Sequence, residues 1–102
     1  MVNTRAKGNR NQQRVLKWLQ GEGWEVAIVE RTSRFLKEKD AFGVADLCCL
    51  KSGHVLFVQV TTNKPHPHKK YKDFIRKFGS EYVSLWQVIV IDRVKEFKII
   101  KY

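Results

Sequence analysis

The sequence predicts an α/β fold in which a mixed central sheet of about five strands is flanked by helices. Residues 9–21 and 68–78 have the apolar spacing of amphipathic helices. Five other segments, rich in β-branched and aromatic residues, have the pattern of strands: 24–30, 44–51, 54–62, 82–91 and 94–100. The order helix, strand, hairpin, helix and two strands favours helices packed on a sheet. The 102 residues suffice for one such domain.

The first helix has a strongly basic beginning. Residues 1–7 are expected to form a flexible basic N-terminus, and the helix is expected to stop at Gly21-Glu22-Gly23, where glycine adopts a left-handed conformation. Arg10 and Arg14 continue the positive charge into the helix. Because a helix N-terminus carries partial positive charge of its own, this segment is suited to hold a phosphate group.

The predicted hairpin over residues 42–62 carries polar side chains where apolar ones are expected. Its two strands join at Ser52-Gly53, and Asp46 is the one acid in the first strand. In the second strand, alternation places Gln59 and Thr61 on one face. A buried polar group without a partner costs roughly 1–3 kcal/mol, so the cluster indicates a functional site. The alternative is that Gln59 and Thr61 lie on a solvated face and that Asp46 caps a strand end.

These residues resemble the core of a known nuclease superfamily. Gly43-Val-Ala-Asp46-Leu, a hairpin, and then Val58-Gln59-Val60-Thr61 are similar to the PD-(D/E)XK motif. The similarity is greatest to small Holliday-junction-resolvase-like and VRR-NUC-like members that carry Q-x-T in place of E-x-K, and it covers about residues 8–62. It implies a restriction-endonuclease-like core and an endonuclease that hydrolyses DNA with Mg²⁺ or Mn²⁺.

The resemblance also implies a set of metal ligands. Asp46 supplies the firm carboxylate, Gln59 a neutral side-chain oxygen and Val60 a backbone carbonyl, all hard oxygen ligands of the kind that Mg²⁺ prefers. Asp40, in the polar loop before the hairpin, is a candidate second acid or outer partner, although loop acids are usually only solvated.

Two positions depart from the superfamily pattern. Gln12 stands where the first helix of these nucleases carries a glutamate, and Thr61 stands where they carry the catalytic lysine. Because threonine supplies no positive charge, an active enzyme needs a lysine from elsewhere. Lys64 is the first candidate and Lys39 the second.

The charge of the chain predicts a polyanionic partner. Twenty lysine and arginine residues against ten acids give a net charge of +10, which suits duplex or branched DNA, although a basic surface that is merely solvated is the alternative. Symmetric cutting of two strands implies a possible homodimer. The candidate phosphate contacts are Arg5, Lys7, Arg10, Arg14, Lys37, Lys39, Lys69 and Lys70.

Other classes of protein have little support in the sequence. No apolar run approaches 18 residues, so no membrane partner is expected, and the N-terminal segment lacks the apolar core of a signal peptide. Adjacent Cys48 and Cys49 point to opposite faces of a strand, which favours a reducing, cytoplasmic setting such as a prokaryotic, archaeal or phage-infected cell. No CxxC or HxxxH pair supports a zinc site.

Two functions therefore remain open. The first is a metal-dependent DNA endonuclease, structure-specific if it follows the resolvase-like members. The second is a non-catalytic nucleic-acid-binding protein on a nuclease-like scaffold, which the loss of the second carboxylate keeps open.

Overall fold

The computed structural model describes residues 4–29, 44–93 and 96–102, with the side chains of residues 4–9 left aside. Within these ranges the chain forms two helices and five strands: α1 Thr4–Gly21, β1 Glu25–Ile28, β2 Leu47–Lys51, β3 His54–Thr62, α2 Lys69–Phe78, β4 Val83–Val90 and β5 Phe97–Lys101. No helix in the described ranges is long and apolar enough to span a membrane.

The five strands form one mixed sheet in the order β1-β2-β3-β4-β5. β2 runs antiparallel to both of its neighbours, β1 and β3, and β5 runs antiparallel to β4. β3 and β4 are parallel, which requires a crossover, and α2 supplies it. The predicted mixed five-stranded sheet is therefore confirmed.

The two helices cover opposite faces of this sheet. On one face, which we call the α1 face, Val15 and Leu19 of α1 pack in a core cluster with Leu56 and Val58 of β3. On the other, the α2 face, a second cluster joins α2 to the sheet. Its buried members are Val44, Ala45, Tyr71, Phe74 and Leu85. Because helices cover both faces of β3, its apolar side chains pack against neighbours on either face, and its polar side chains need hydrogen-bond partners.

The hairpin between β2 and β3 has the predicted turn. Ser52 and Gly53 both have positive φ angles, 46° and 79°, so the two-residue loop matches the right-handed twist of the flanking strands. The resulting register places Leu47 opposite Val58. This register fixes which side chains of β3 stand beside the residue that precedes β2, Asp46.

The first helix differs from the prediction at its beginning. It starts at Thr4, five residues before the predicted start at residue 9, while the flexibility of residues 1–7 stays a prediction. Ala6 and the surrounding basic residues are good helix formers, and they offset the cost of about 1 kcal/mol that Gly8 imposes. The predicted left-handed stop is confirmed at Gly23, whose φ is 97°.

Gly79 directly follows α2 at a position that has no room for a side chain, and its replacement is expected to destabilise the protein. Its φ of −68° is ordinary, but a Cβ there would lie 2.5 Å from the Ile75 carbonyl oxygen. Gly79→Ala is therefore expected to cost about 1–3 kcal/mol in free energy of unfolding, measured by urea denaturation. Gly21→Ala is the matched control, because a Cβ at that position would meet no atom within 4 Å and alanine favours the helix. Equal stability of both variants would contradict this account.

Candidate active site

Asp46 is held at the junction of three strands. Its backbone N–H donates to the Val58 carbonyl at 2.9 Å, and its own carbonyl accepts from the Val29 N–H at 2.8 Å. The segment just before β2 is therefore pinned between β3 and the end of β1. This fixed backbone aims the Asp46 side chain at β3.

The carboxylate of Asp46 meets Gln59 and the backbone of β3. Its Oδ2 accepts a hydrogen bond of 2.7 Å from Gln59 Nε2 and another of 3.1 Å from the Val60 N–H. Gln59 Nε2 also makes a long contact of 3.4 Å with the Val60 carbonyl. The structure therefore brings together Asp46, Gln59 and Val60, the three predicted ligands within its described ranges.

Two buried oxygens next to this contact have no hydrogen-bond partner. Gln59 and Thr61 are only 5% and 4% exposed, so the alternative of a solvated sheet face is wrong for both. Gln59 Oε1 and Thr61 Oγ1 are out of contact with solvent and unpaired among the described residues. Each such group costs about 1–3 kcal/mol. Unpaired oxygens on one face, beside a carboxylate, are the acceptors that a cation-binding or water-binding site presents to its ligand.

Helix α1 reaches the same end of β3 through Asn11. Asn11 is buried, and its Nδ2 donates a hydrogen bond of 2.9 Å to Thr62 Oγ1. Gln12, the residue that the resemblance selects, is half-buried beside it. The sequence carried a signal for Asn11, because positions 11, 15 and 19 form one stripe of the helix and Val15 and Leu19 are its core residues.

A second polar cluster adjoins Gln59 on β4. Gln87 is fully buried and stands beside Gln59 in the parallel register. Its Oε1 accepts from the backbone N–H of His66, and its Nε2 donates to the Tyr102 hydroxyl at 2.9 Å. Burial raises the pKa of Tyr102, an effect that the hydrogen bond with Gln87 partly opposes. This cluster, which we did not predict, ties down the loop that follows β3.

Two histidines complete the Gln87 cluster. His66 Nδ1 shares a hydrogen bond of 3.0 Å with the Tyr71 hydroxyl, and His68 Nδ1 shares one with the Tyr102 hydroxyl. His66 lies between the two prolines of the loop and His68 follows the second, so these hydrogen bonds fasten the loop to α2 and to the residue after β5. Lys64 lies at the start of this loop, exposed, with its backbone N–H bonded to the Thr62 carbonyl at 2.7 Å.

Four of the eight predicted phosphate contacts have described side chains, and all four are exposed: Arg10, Arg14, Lys69 and Lys70. Because Asn11 meets Thr62, the neighbouring part of α1 lies near the end of β3. Lys69 and Lys70 begin α2, directly after the loop that follows β3. Lys37, Lys39 and Asp40 lie outside the described residues, as do the side chains of Arg5 and Lys7, so these remain predictions.

The described residues contain no group of three histidine, cysteine, aspartate or glutamate side chains that could hold a metal ion. Both cysteines are free, with Cys49 in the core and Cys48 half-buried on the opposite face, as predicted. Burial, reinforced by Cys48, raises the pKa of the Cys49 thiol to about 12. A thiol that stays protonated at neutral pH is a poor nucleophile.

Comparison with solved structures identifies the fold. One similar structure is Hjc of Archaeoglobus fulgidus, a Holliday junction resolvase from an archaeal hyperthermophile; the TM-score is 0.63, over 92% of this chain and 76% of that one. The chain has the restriction-endonuclease-like fold. At 17% identity the likeness establishes the fold alone. No family model and no curated protein sequence matches this chain.

Proposed function

We propose that this chain is a metal-dependent DNA endonuclease of the PD-(D/E)XK superfamily. The observation that carries the proposal is the contact between Asp46 and Gln59, at 2.7 Å, beside two unpaired buried oxygens. Three of the motif residues that suggested the superfamily, Asp46, Gln59 and Val60, are thus neighbours in space. They lie on a sheet whose fold is similar to that of a Holliday junction resolvase. The D…QxT pattern would be this chain's variant of the superfamily motif.

The residues of the site fit a hard divalent cation such as Mg²⁺ or Mn²⁺. Asp46 offers a carboxylate, Gln59 an oxygen that has no other partner among the described residues, and Val60 a backbone carbonyl. Gln59 directs its NH₂ group at Asp46, and a half-turn of the amide exchanges that nitrogen for the oxygen. Such a metal ion, when bound, polarises the scissile phosphate and lowers the pKa of an attacking water. Asp40 is the proposed second acid.

The remaining residues would orient water and the DNA strand. Thr61 Oγ1, buried and unpaired among the described residues, can hold a water molecule beside Gln59. Lys64, on the loop that Gln87 fastens, would supply the positive charge that Thr61 lacks, with Lys39 as the other candidate. Gln12 of α1 is proposed to orient a water molecule through its side-chain amide. Asn11 holds the helix in place against Thr62.

DNA is the proposed substrate, with branched forms such as Holliday junctions preferred. The net charge of +10 and the basic residues at the starts of both helices support binding to phosphates. Two copies of the chain would cut two strands symmetrically, and the exposed Leu50, Phe78 and Tyr82 offer apolar surface for such pairing. The free cysteines suit a reducing, intracellular compartment.

A cleavage assay across DNA structures tests this proposal. A four-way junction, a flap and a linear duplex of matched sequence are incubated with the protein in Mg²⁺, Mn²⁺ or EDTA. We expect metal-dependent cleavage, faster on the branched substrates and abolished by EDTA. Binding that weakens steeply between about 50 and 200 mM salt, with no cleavage in either metal, would instead establish the non-catalytic alternative.

A further inference from the structure

The far end of the α1 face carries a group of aromatic and basic side chains that the proposed active site does not use. Trp24 packs edge-to-face against both His54 and Trp86, with ring centroids 6.2 and 6.5 Å apart. Lys51 Nζ stands over the Trp24 ring at 5.3 Å, and Lys101 Nζ stands over the Trp86 ring at 4.8 Å. We call these five residues the cation–aromatic band.

The band lies away from the proposed active site. β3 begins with His54 and reaches Gln59 five residues later, a separation of about 17 Å along the strand. The two residues also face opposite sides of the sheet, since their positions differ by an odd number. The three ring systems are half-buried and both lysines are exposed, so the band is open to solvent at its outer edge.

The charge of the band is positive. Lys51 pairs with His54 and Lys101 with Trp86, so both lysines lie on the α1 face. Glu25 of β1 pairs with Leu50 and so lies on the α2 face. The Lys51 ammonium is held near Trp24 by a hydrogen bond of 2.7 Å to the Glu22 carbonyl, a neutral acceptor that leaves the charge of the ammonium in place. Rings at this end of the sheet therefore stand beside cations.

A third pair of a cation and a ring lies next to the band, nearer the Thr62 end of the sheet. Arg14 of α1 stands over the Phe97 ring at 5.4 Å, and Trp18 packs edge-to-face on that ring at 5.5 Å. Phe97 and Lys101 both lie on the α1 face of β5, four residues apart. Cation and ring pairs therefore follow one path from Arg14 to Lys51.

We propose that the cation–aromatic band is a second nucleic-acid surface, and that it binds unpaired nucleotides of single-stranded DNA. Proteins that bind single strands combine aromatic rings, on which bases stack, with basic side chains that contact the phosphates. Trp24 and Trp86 provide the rings, while Lys51 and Lys101 move from the rings to the phosphates. This surface goes beyond the proposed cleavage site and requires no metal ion.

The three tryptophans of the chain make this proposal directly measurable. Trp18, Trp24 and Trp86 all pack on the α1 side, so intrinsic fluorescence reports on this surface. Titration with a 15-nucleotide oligothymidine in EDTA is expected to give saturable quenching, while a blunt duplex of equal length quenches much less. Absence of saturable quenching by the oligothymidine would overturn the proposal.

Charge variants separate this surface from general attraction of DNA to a basic protein. The double variant Lys51→Gln with Lys101→Gln is expected to weaken oligothymidine binding by about fivefold or more. The matched control is Lys72→Gln with Lys98→Gln, which removes the same charge from exposed lysines on α2 and on the α2 face of β5. An equal loss of affinity in both variants would overturn the proposal.

The ring contribution is tested without reliance on one variant. Trp86→Ala is expected to weaken oligothymidine binding by at least about fivefold, and Trp86→Phe, which keeps a smaller aromatic ring, to weaken it less. Circular dichroism establishes that each variant is folded. Binding is measured in EDTA, where no metal-dependent cleavage occurs, so a failure of the cleavage proposal leaves this result unaffected. Unchanged affinity in a folded Trp86→Ala protein would contradict stacking.

Discussion

Asp46→Asn is expected to reduce DNA cleavage by about 10²-fold or more while leaving the protein folded and able to bind DNA. Asp46 is the one carboxylate that contacts Gln59 and the Val60 N–H in the described part of the chain. Asparagine keeps an oxygen that accepts both hydrogen bonds but removes the charge that would hold a divalent ion. Cleavage of a four-way junction in Mg²⁺, with circular dichroism and a gel-shift assay, measures the three effects.

Asp73→Asn is the matched control for this prediction. Asp73 lies on α2 in an exposed pair with Arg76, at 3.1 Å, and such pairs contribute less than about 1 kcal/mol. The control removes the same charge from the protein without touching the site. Full activity in Asp46→Asn would show that the site lies elsewhere, whereas equal losses in both variants would indicate an effect of net charge.

Gln59→Glu is expected to lower the metal concentration that half-maximal cleavage requires. Gln59 is buried, and its side-chain nitrogen lies 2.7 Å from Asp46 Oδ2, so the substitution places a second carboxylate beside the first. A cation then binds two negative charges instead of one. Without metal the two carboxylates repel each other, and this repulsion raises the pKa of one of them in the folded protein. The folding stability of the variant is therefore lost as the pH rises through that raised pKa.

Two measurements check this prediction. Cleavage rates across a titration of Mn²⁺ should give a midpoint that is shifted about tenfold downward relative to the wild type. The melting temperature of Gln59→Glu at neutral pH should be lower than that of the wild type in EDTA and should rise with Mn²⁺. Gln20→Glu, at an exposed position of α1, is the control for added charge. A metal midpoint unchanged from the wild type would show that Gln59 is not a ligand.

Local sequence patterns sufficed to predict the hairpin that holds the site. The turn at Ser52-Gly53 and the two-residue alternation of β3 determine which side chains share a face, so Gln59 and Thr61 could be placed together. Asp46 could be placed beside them because a hairpin also determines its own register. These relations span few residues and depend on backbone geometry alone.

The partners that other elements bring could not be predicted in the same way. Gln87 adjoins Gln59 because β3 and β4 pair in parallel through α2, and no turn specifies that register. Asn11 and Gln12 are neighbours in sequence but point about 100° apart around a helix, so the packing of α1 decides which one reaches β3. The rotation of α1 and the register of β3 with β4 both depend on tertiary packing. They bring Asn11 and Gln87 to this region, and the motif alone selects neither residue.

Calorimetric titration of Mn²⁺ into the protein without DNA tests most directly the central claim that Asp46 and Gln59 bind one divalent ion together. The account predicts one Mn²⁺ per chain in the wild type, binding about tenfold tighter in Gln59→Glu and loss of binding in Asp46→Asn. Equal Mn²⁺ binding by the wild type and Asp46→Asn, or no binding by the wild type and Gln59→Glu, would contradict it.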